Sequence, residues 1–238
     1  MIARRQRVTN VGKGVHMKID IWSDIACPWC AVGRGNLQKA LAEFKGDVEI
    51  RWRSFELDPN APSEREGDYV LKLAQKYGRT REQAAEWISQ MAERGAGCGV
   101  DFDFDNIRSG NTFEAHRLLH LAYEEGKQDE MKGRLLKAYF QESELMSDIK
   151  TLIRLAIEVG LDENKVKALF EGEGYSEAVR EDQALARRYG ISGVPFFVID
   201  DTYALSGAQP SEVLLSAMRQ AGRSEAGNKA EKCSVEGC

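Results

Sequence analysis

Five cysteines and three histidines carry most of the reactive chemistry available to this 238-residue chain. Two of the cysteines, Cys27 and Cys30, enclose Pro28 and Trp29 in a C-x-x-C motif. Before it, Lys18-Ile19-Asp20-Ile21-Trp22 alternates apolar and polar residues, which suits a half-buried strand. After it, Leu37, Leu41 and Phe44 recur at helical spacing. A thiol between the two stands at a helix N-terminus, where backbone N–H groups and the helix dipole favour negative charge. The thiolate is the reacting form of cysteine, so this position favours reactivity. Pro28 fits the first helical turn, which does not need its missing N–H. Cys30, about one turn on, is spaced to close a disulfide with Cys27. The pair reads as a reversible dithiol/disulfide. The same spacing also serves half of a zinc site or two inert buried cysteines.

Other residues invite weaker readings. Cys233 and Cys238 are separated by four residues that include a glycine, so they can close a small disulfide loop. The polar stretch from Arg223 to Lys232 gives them the reach to exchange with Cys27 and Cys30. Solvent-exposed thiols and soft metal ligands are the alternatives. His116 and His120 lie four apart on a helix opened by Asn111, with Glu114 completing a capping-box-like pattern. Such a pair can bind metal, but no third ligand has matching spacing, so they read as structural histidines and no metal is expected. Asp24 precedes Cys27 by three residues. It reads first as a turn-capping Asp and second as a proton acceptor beside the thiols. Cys98 stands alone in a Gly-rich loop and reads as a free or buried thiol.

These groups must be positioned by an ordinary globular chain, with 42% hydrophobic and 30% charged residues and a formal net charge of -5. No basic face is evident, which argues against nucleic acid and anionic membrane as partners. No apolar run approaches the length of a membrane span. The basic stretch from Met1 to His16 has no apolar segment of the secretory type, so residues 1–16 are expected as a disordered extension and the protein as cytoplasmic. In a reducing compartment, disulfides are redox-active more often than structural. Val48-Glu49-Ile50-Arg51-Trp52-Arg53 predicts a second strand, ended by the turn signal Leu57-Asp58-Pro59-Asn60-Ala61-Pro62. From Glu64 to Tyr189 the chain contains no proline and keeps helical periodicity, with Ala84, Trp87, Ile88 and Met91 as one stripe. Helices are expected over roughly 111–125, 129–142, 148–159, 162–171 and 175–189. Gly193-Val194-Pro195-Phe196-Phe197-Val198-Ile199 predicts a strand entered by proline, with a hairpin turn at Asp200-Asp201. A last helix is expected from Pro210 to Ala221. The order predicts an α/β thioredoxin-like fold, residues 17–62 and 190–222, interrupted by a large all-helical insertion, residues 63–189, and followed by a flexible tail, residues 223–238.

Taken together, Asp24-Ile25-Ala26-Cys27-Pro28-Trp29-Cys30, Asn111-Thr112-Phe113-Glu114-Ala115-His116-Arg117-Leu118, Gly193-Val194-Pro195-Phe196-Phe197 and the C-terminal C-x4-C resemble the DsbA-like thioredoxin superfamily, most closely its FrnE-type cytoplasmic members. The resemblance implies a protein dithiol–disulfide oxidoreductase or disulfide isomerase in which Cys27 attacks and Cys30 resolves. It implies a cis Val194-Pro195 peptide facing the cysteines, with substrate bound by Pro28, Trp29, Val194, Pro195, Asn111, Phe113 and His116. It also makes Cys233 and Cys238 a second redox pair. No cofactor is implied; glutathione or another small thiol is a candidate electron partner, and a protein carrying a disulfide or dithiol the expected substrate. Alternatives are a glutathione-dependent isomerase or transferase of the kappa type, whose branch usually has serine at the first cysteine, and a zinc- or redox-sensing binding protein. Trp29 stands where the best-known oxidant of the superfamily has histidine. It offers an indole N–H donor and no cationic form, which implies weaker thiolate stabilisation.

Overall fold

A computed structural model of the chain describes the backbone at residues 7–9 and 16–235, with side chains over 16–223. The elements run β1 (Arg7–Thr9), β2 (His16–Ser23), α1 (Pro28–Glu43), β3 (Asp47–Ser54), α2 (Tyr69–Tyr77), α3 (Arg81–Ala96), α4 (Phe113–Glu124), α5 (Gln128–Gln141), α6 (Ile149–Glu158), α7 (Glu163–Glu171), α8 (Ser176–Arg188), β4 (Phe196–Ile199), β5 (Tyr203–Ser206) and α9 (Ser211–Val235). The described strands form one mixed sheet in the order β1-β3-β2-β4-β5. β2 and β3 are parallel, with Ile21 opposite Trp52. β4 returns antiparallel to β2, placing Phe197 opposite Ile21. The β4–β5 turn uses Asp200 and Asp201 at φ +48° and +52°, the left-handed pair a tight two-residue hairpin requires. This is the thioredoxin-like fold with a helical block between β3 and β4.

Alternation along the strands decides which helix covers which face. Ile19, Ile21, Phe197 and Ile199 point to one side and pack under Leu37 and Leu41 of α1 and Leu214 and Met218 of α9. Trp22 and Val198 point to the other and pack against Ala186 of α8 and Ile191. On that second face Arg53 bridges Asp20 at 2.6 Å and Asp182 at 2.8 Å. Asp182 also accepts the Ser54 N–H at 3.0 Å, which fastens α8 to β3. The helical block has its own core, to which Ile25 and Ala31 beside the C-x-x-C contribute.

Among the described residues β3 pairs with β1 at residues 47–49, and the N–H and C=O of Trp52 turn to a side chain. That side chain is the buried Gln128. Its Oε1 accepts the Trp52 N–H, and its Nε2 donates to the Trp52 carbonyl, each at 2.9 Å. One amide side chain thus makes both bonds a strand neighbour would make to Trp52 and docks α5 on the sheet.

Helices α4 to α8 are the five expected from periodicity. Three features differ. Arg7–Thr9 lies within the N-terminal stretch expected to be disordered, yet forms an edge strand in register with Asp47–Glu49, and β2 begins at His16 rather than Met17. Three residues carry too little pattern to read as a strand; the free edge of β3 decides their pairing. The last helix does not end near Ala221 but continues to Val235, because no proline or turn sequence interrupts it. The capping pattern before α4 also differs. The helix starts at Phe113, the Asn111 side chain accepts the Phe113 N–H at 2.8 Å, and Glu114 turns to Arg117 at 2.7 Å. Among the described residues no helix is long and apolar enough to cross a membrane.

Candidate redox site

Cys27 is the N-cap of α1 and Pro28 its first residue. The Cys27 carbonyl accepts the Cys30 N–H at 2.9 Å and that of Ala31 at 3.4 Å. No side chain caps the helix and no acidic residue lies in its first turn. The N-terminal N–H groups therefore remain available to negative charge developing on sulfur. Both cysteines are free thiols. Cys27 keeps 4% of its surface and Cys30 none, so only Cys27 can be met from outside.

The expected cis Val194-Pro195 peptide is present. It stands against the thiols: Cys27 Sγ donates to the Val194 carbonyl at 3.4 Å. Close approach of α1 makes this contact. A Cβ at Gly33 would lie 2.9 Å from Pro195 Cγ, so only glycine lets the helix sit so near the loop. The Pro195 carbonyl accepts the Gly207 N–H at 2.8 Å, which ties the loop to the end of β5. Pro28 and Trp29 are half-buried. The Trp29 ring lies 5.5 Å from the Arg94 guanidinium of α3, which links the motif to the helical block.

Beneath α1 is a buried set of polar groups. Asp24 accepts from Ala26 N–H at 3.3 Å and Leu57 N–H at 2.8 Å, and its Oδ1 lies 3.4 Å from His116 Nε2. Burial acts to raise its carboxyl, but the His116 hydrogen bond and charge, the Leu57 N–H and Lys132 outweigh it and hold the group below the ordinary value. Asp24 is therefore both the turn cap expected and an ionised carboxylate under the thiols. His116 was expected to bind substrate. Its ring is fully buried and turned to Asp24, so it positions that carboxylate and touches no surface. His120 turns elsewhere, to Ser54 Oγ at 3.1 Å and Asp182 at 3.3 Å; the two histidines share no ligand position. Two other residues of the N-T-F-x-A-H-R-L segment make contacts within the helical block. The Arg117 guanidinium donates to the carbonyls of Leu169, Gly172 and Gly174, and the Phe113 ring lies 4.4 Å from Arg180.

The two thiols do not titrate independently. A sulfur–sulfur hydrogen bond with Cys30, followed by burial, pushes Cys27 well above the ordinary thiol value. Burial would raise Cys30 too, but the bond from Cys27, the charge of Lys132, the Ser23 hydroxyl and the Asp24 backbone bring it below. The two sulfurs therefore share a proton, and the reduced pair titrates as a unit rather than as two separate thiols.

An open cleft of about 330 Å³ begins beside Ala26 and Asp24. Its wall carries Arg65, Lys72 and Lys76 against a single further carboxylate, Asp58. Arg65 is paired with Asp58, while Lys72 donates to the Arg65 carbonyl at 2.7 Å and lies 3.4 Å from Ser109 Oγ. Tyr69 also lines it, and burial and the neighbouring Cys27 keep its hydroxyl protonated. Thr112 and Gly110 reach this cleft, whereas Asn111 and Phe113, between and beside them, do not line it.

A family model described as the DSBA-like thioredoxin domain matches residues 18–219. The chain belongs to that family. The uncharacterised protein YwbO of Bacillus subtilis (strain 168) is 35% identical over 209 residues, covering 86% of this chain and 96% of that protein. The crystal structure of a probable DsbA oxidoreductase from Streptomyces coelicolor is 40% identical with a TM-score of 0.81, over 87% of this chain and 90% of that one. The cytosolic disulfide reductase DsbM of Pseudomonas aeruginosa, solved with GSH, shares the fold at 16% identity and a TM-score of 0.58, over 90% and 99% of the two chains.

Sequence reasoning missed Lys132, Gln128 and the pairing of Asp24 with His116. Lys132 had a signal: it lies on the stripe of Leu136, Tyr139 and Phe140, where a lysine is out of place. Cys98, read as a lone thiol, donates to Asn36 Oδ1 of α1 at 2.9 Å. Cys238 and the Cys233 side chain, proposed as a second redox pair, lie outside the described residues.

Proposed function

We propose that this chain catalyses thiol–disulfide exchange through Cys27 and Cys30. One observation carries the reading. The more accessible thiol of a C-x-x-C caps an open helix N-terminus and sits 3.4 Å from the carbonyl of a cis X-Pro peptide. In the reducing direction the Cys27 thiolate attacks one sulfur of a substrate disulfide. The Cys27–substrate bond forms and the substrate disulfide breaks, releasing the first substrate thiolate. Cys30 as thiolate then attacks Cys27 Sγ, closing Cys27–Cys30 and releasing the second. Each released thiolate takes a proton from solvent, balancing those lost by the two cysteines. Running the steps backwards oxidises a dithiol, and release of the mixed disulfide to a different substrate thiol isomerises one. Val194 and Pro195 border the attacking sulfur and are placed to receive an extended substrate segment; Trp29 and Pro28 form the neighbouring surface. The cationic cleft beside Ala26 suits an acidic peptide segment or a small carboxylated thiol such as glutathione as electron partner.

The test is turnover of a protein disulfide, such as that of insulin, with a small thiol as reductant. Cys27→Ser abolishes it. Cys30→Ser retains the first attack and accumulates a mixed disulfide with substrate, visible as an adduct by mass spectrometry. Full turnover by Cys27→Ser sinks the proposal.

A further inference from the structure

Lys132 is a buried cation that neither the fold nor the exchange chemistry above explains. It lies on α5, none of its surface reaches solvent, and its Nζ has no hydrogen-bond partner. A charge kept in a protein interior without a paired carboxylate is costly. The Trp52 ring lies 5.6 Å from Nζ; its face attracts the ammonium but supplies no neutralising charge. The lysine is also held in place by its surroundings. Asp129, three residues before it, accepts from Arg34 of α1 at 2.8 Å and from Trp52 Nε1 of β3 at 3.0 Å. This fixes the first turn of α5 against the helix that carries the cysteines.

The ionisable groups in its field are few. Cys30, Asp24 and Cys27 draw the ammonium form, and Arg34 on α1 opposes it. Asp24 is already engaged by His116, Leu57 N–H and Ala26 N–H. Cys30 has no surface from which water could solvate its thiolate.

We propose that Lys132 is the counter-charge of Cys30, the positioning residue that makes the buried thiolate affordable in the resolving step. This rests on the exchange reading above for its role in turnover, but not for the electrostatic pairing. In the resolving step the Cys30 thiolate attacks Cys27 Sγ, the Cys27–substrate bond breaks, and the substrate thiolate leaves. Negative charge moves from the interior to solvent, where it takes up a proton equivalent to the one Cys30 gave up. Closing Cys27–Cys30 removes the thiolate charge and leaves Asp24 to draw the ammonium form. Burial lowers the lysine, and the thiolate opposes this, so its protonation follows the redox state of the pair.

The experiment uses the full chain with Cys98, Cys233 and Cys238 changed to Ser, so that thiolate absorbance in the ultraviolet reports only the site. In a Cys27→Ser background, Lys132→Met shifts the Cys30 thiolate titration to higher pH by a unit or more, a tenfold loss of thiolate. With both cysteines present, Lys132→Met slows resolution of a preformed Cys27 mixed disulfide about tenfold at neutral pH. The deficit shrinks as pH is raised, because Cys30 then ionises unaided. Lys132→Arg restores both readouts in part. Lys132→Gln, which keeps a polar chain without charge, behaves like Lys132→Met and replaces it if the methionine variant does not fold. An unchanged Cys30 titration in either neutral variant overturns the pairing. An unchanged titration curve and resolution rate together make Lys132 a packing residue. If the titration shifts but the parent protein exchanges with no disulfide, the pairing stands and the proposed function fails.

Discussion

Asp24 is the residue on which the local electrostatics turn. It is fully enclosed, and burial disfavours its charge, yet His116, the Leu57 N–H and Lys132 keep it ionised with a lowered pKa. A carboxyl lowered in the folded state adds stability that is present above the unfolded value and lost as pH falls through the folded one. Asp24→Asn is therefore expected to cost about 1–3 kcal/mol near neutral pH, the penalty of leaving His116 and Lys132 without a charged partner. The difference from the native chain begins to narrow near pH 4, the unfolded value, and closes only as pH falls through the lower folded value. Denaturant unfolding at a series of pH values checks this. A difference that does not change with pH means that the carboxylate charge carries none of the stability. The same variant removes a negative charge from beside the thiols, so Cys27 ionises at lower pH than in the native chain.

At the scale of elements, two contacts decide how the site is held. The first is the approach of α1 to the Val194-Pro195 loop. A helical Gly→Ala change gains up to about 1 kcal/mol of propensity. At Gly33 the added methyl meets Pro195 Cγ at 2.9 Å and Phe197 Cζ at 3.4 Å, and overpacking of this kind costs about 1–3 kcal/mol. The loop must give way, which moves the Val194 carbonyl from Cys27. Gly33→Ala is expected to lower turnover of a protein disulfide about tenfold, while thermal unfolding shifts only slightly. Undiminished turnover means the spacing of helix and loop is not critical. The second contact is Gln128 on the edge of β3. Gln128→Leu strands the Trp52 N–H and carbonyl in the interior, at a cost of about 2–3 kcal/mol for two unmade hydrogen bonds. Equilibrium urea unfolding measures it, and a loss under about 0.5 kcal/mol would show that water replaces the amide there.

At the scale of the whole molecule, the helical block turns an exposed thioredoxin-like surface into a cleft. Its wall holds Arg65, Lys72 and Lys76 against the carboxylates of Asp58 and Asp24, in a chain whose overall charge is -5. A local positive field on an acidic protein selects substrates by sign, and salt screens it over about 10 Å at 0.1 M. Reduction of an anionic small disulfide such as oxidised glutathione is expected to outpace that of a cationic one such as cystamine. Raising the ionic strength narrows that margin. Lys72→Gln with Lys76→Gln lowers kcat/KM for the anionic substrate several-fold and leaves that for a neutral disulfide in place, as initial rates for the three substrates will report. Equal rates for all three rule out charge selection by this cleft.

The sequence by itself determined whatever depends on neighbours along the chain. The alternation in β2 and β3, the periodicity of α4 to α8, the two-residue turn at Asp200-Asp201 and the placement of Cys27 at a helix start are local patterns, and each is found in the fold. The cis Val194-Pro195 peptide was legible through family resemblance rather than through any local rule. Other features required distant segments to meet. Arg7–Thr9 became a strand by pairing with β3, and Gln128 bonded the Trp52 backbone from 76 residues away. His116 was turned inward to Asp24 across 92 residues. The coupling of Cys27 and Cys30 came from their shared hydrogen bond and from burial, neither of which is written in their spacing. A pKa depends on solvent exclusion and on charges nearby in space, and spacing along the chain encodes neither.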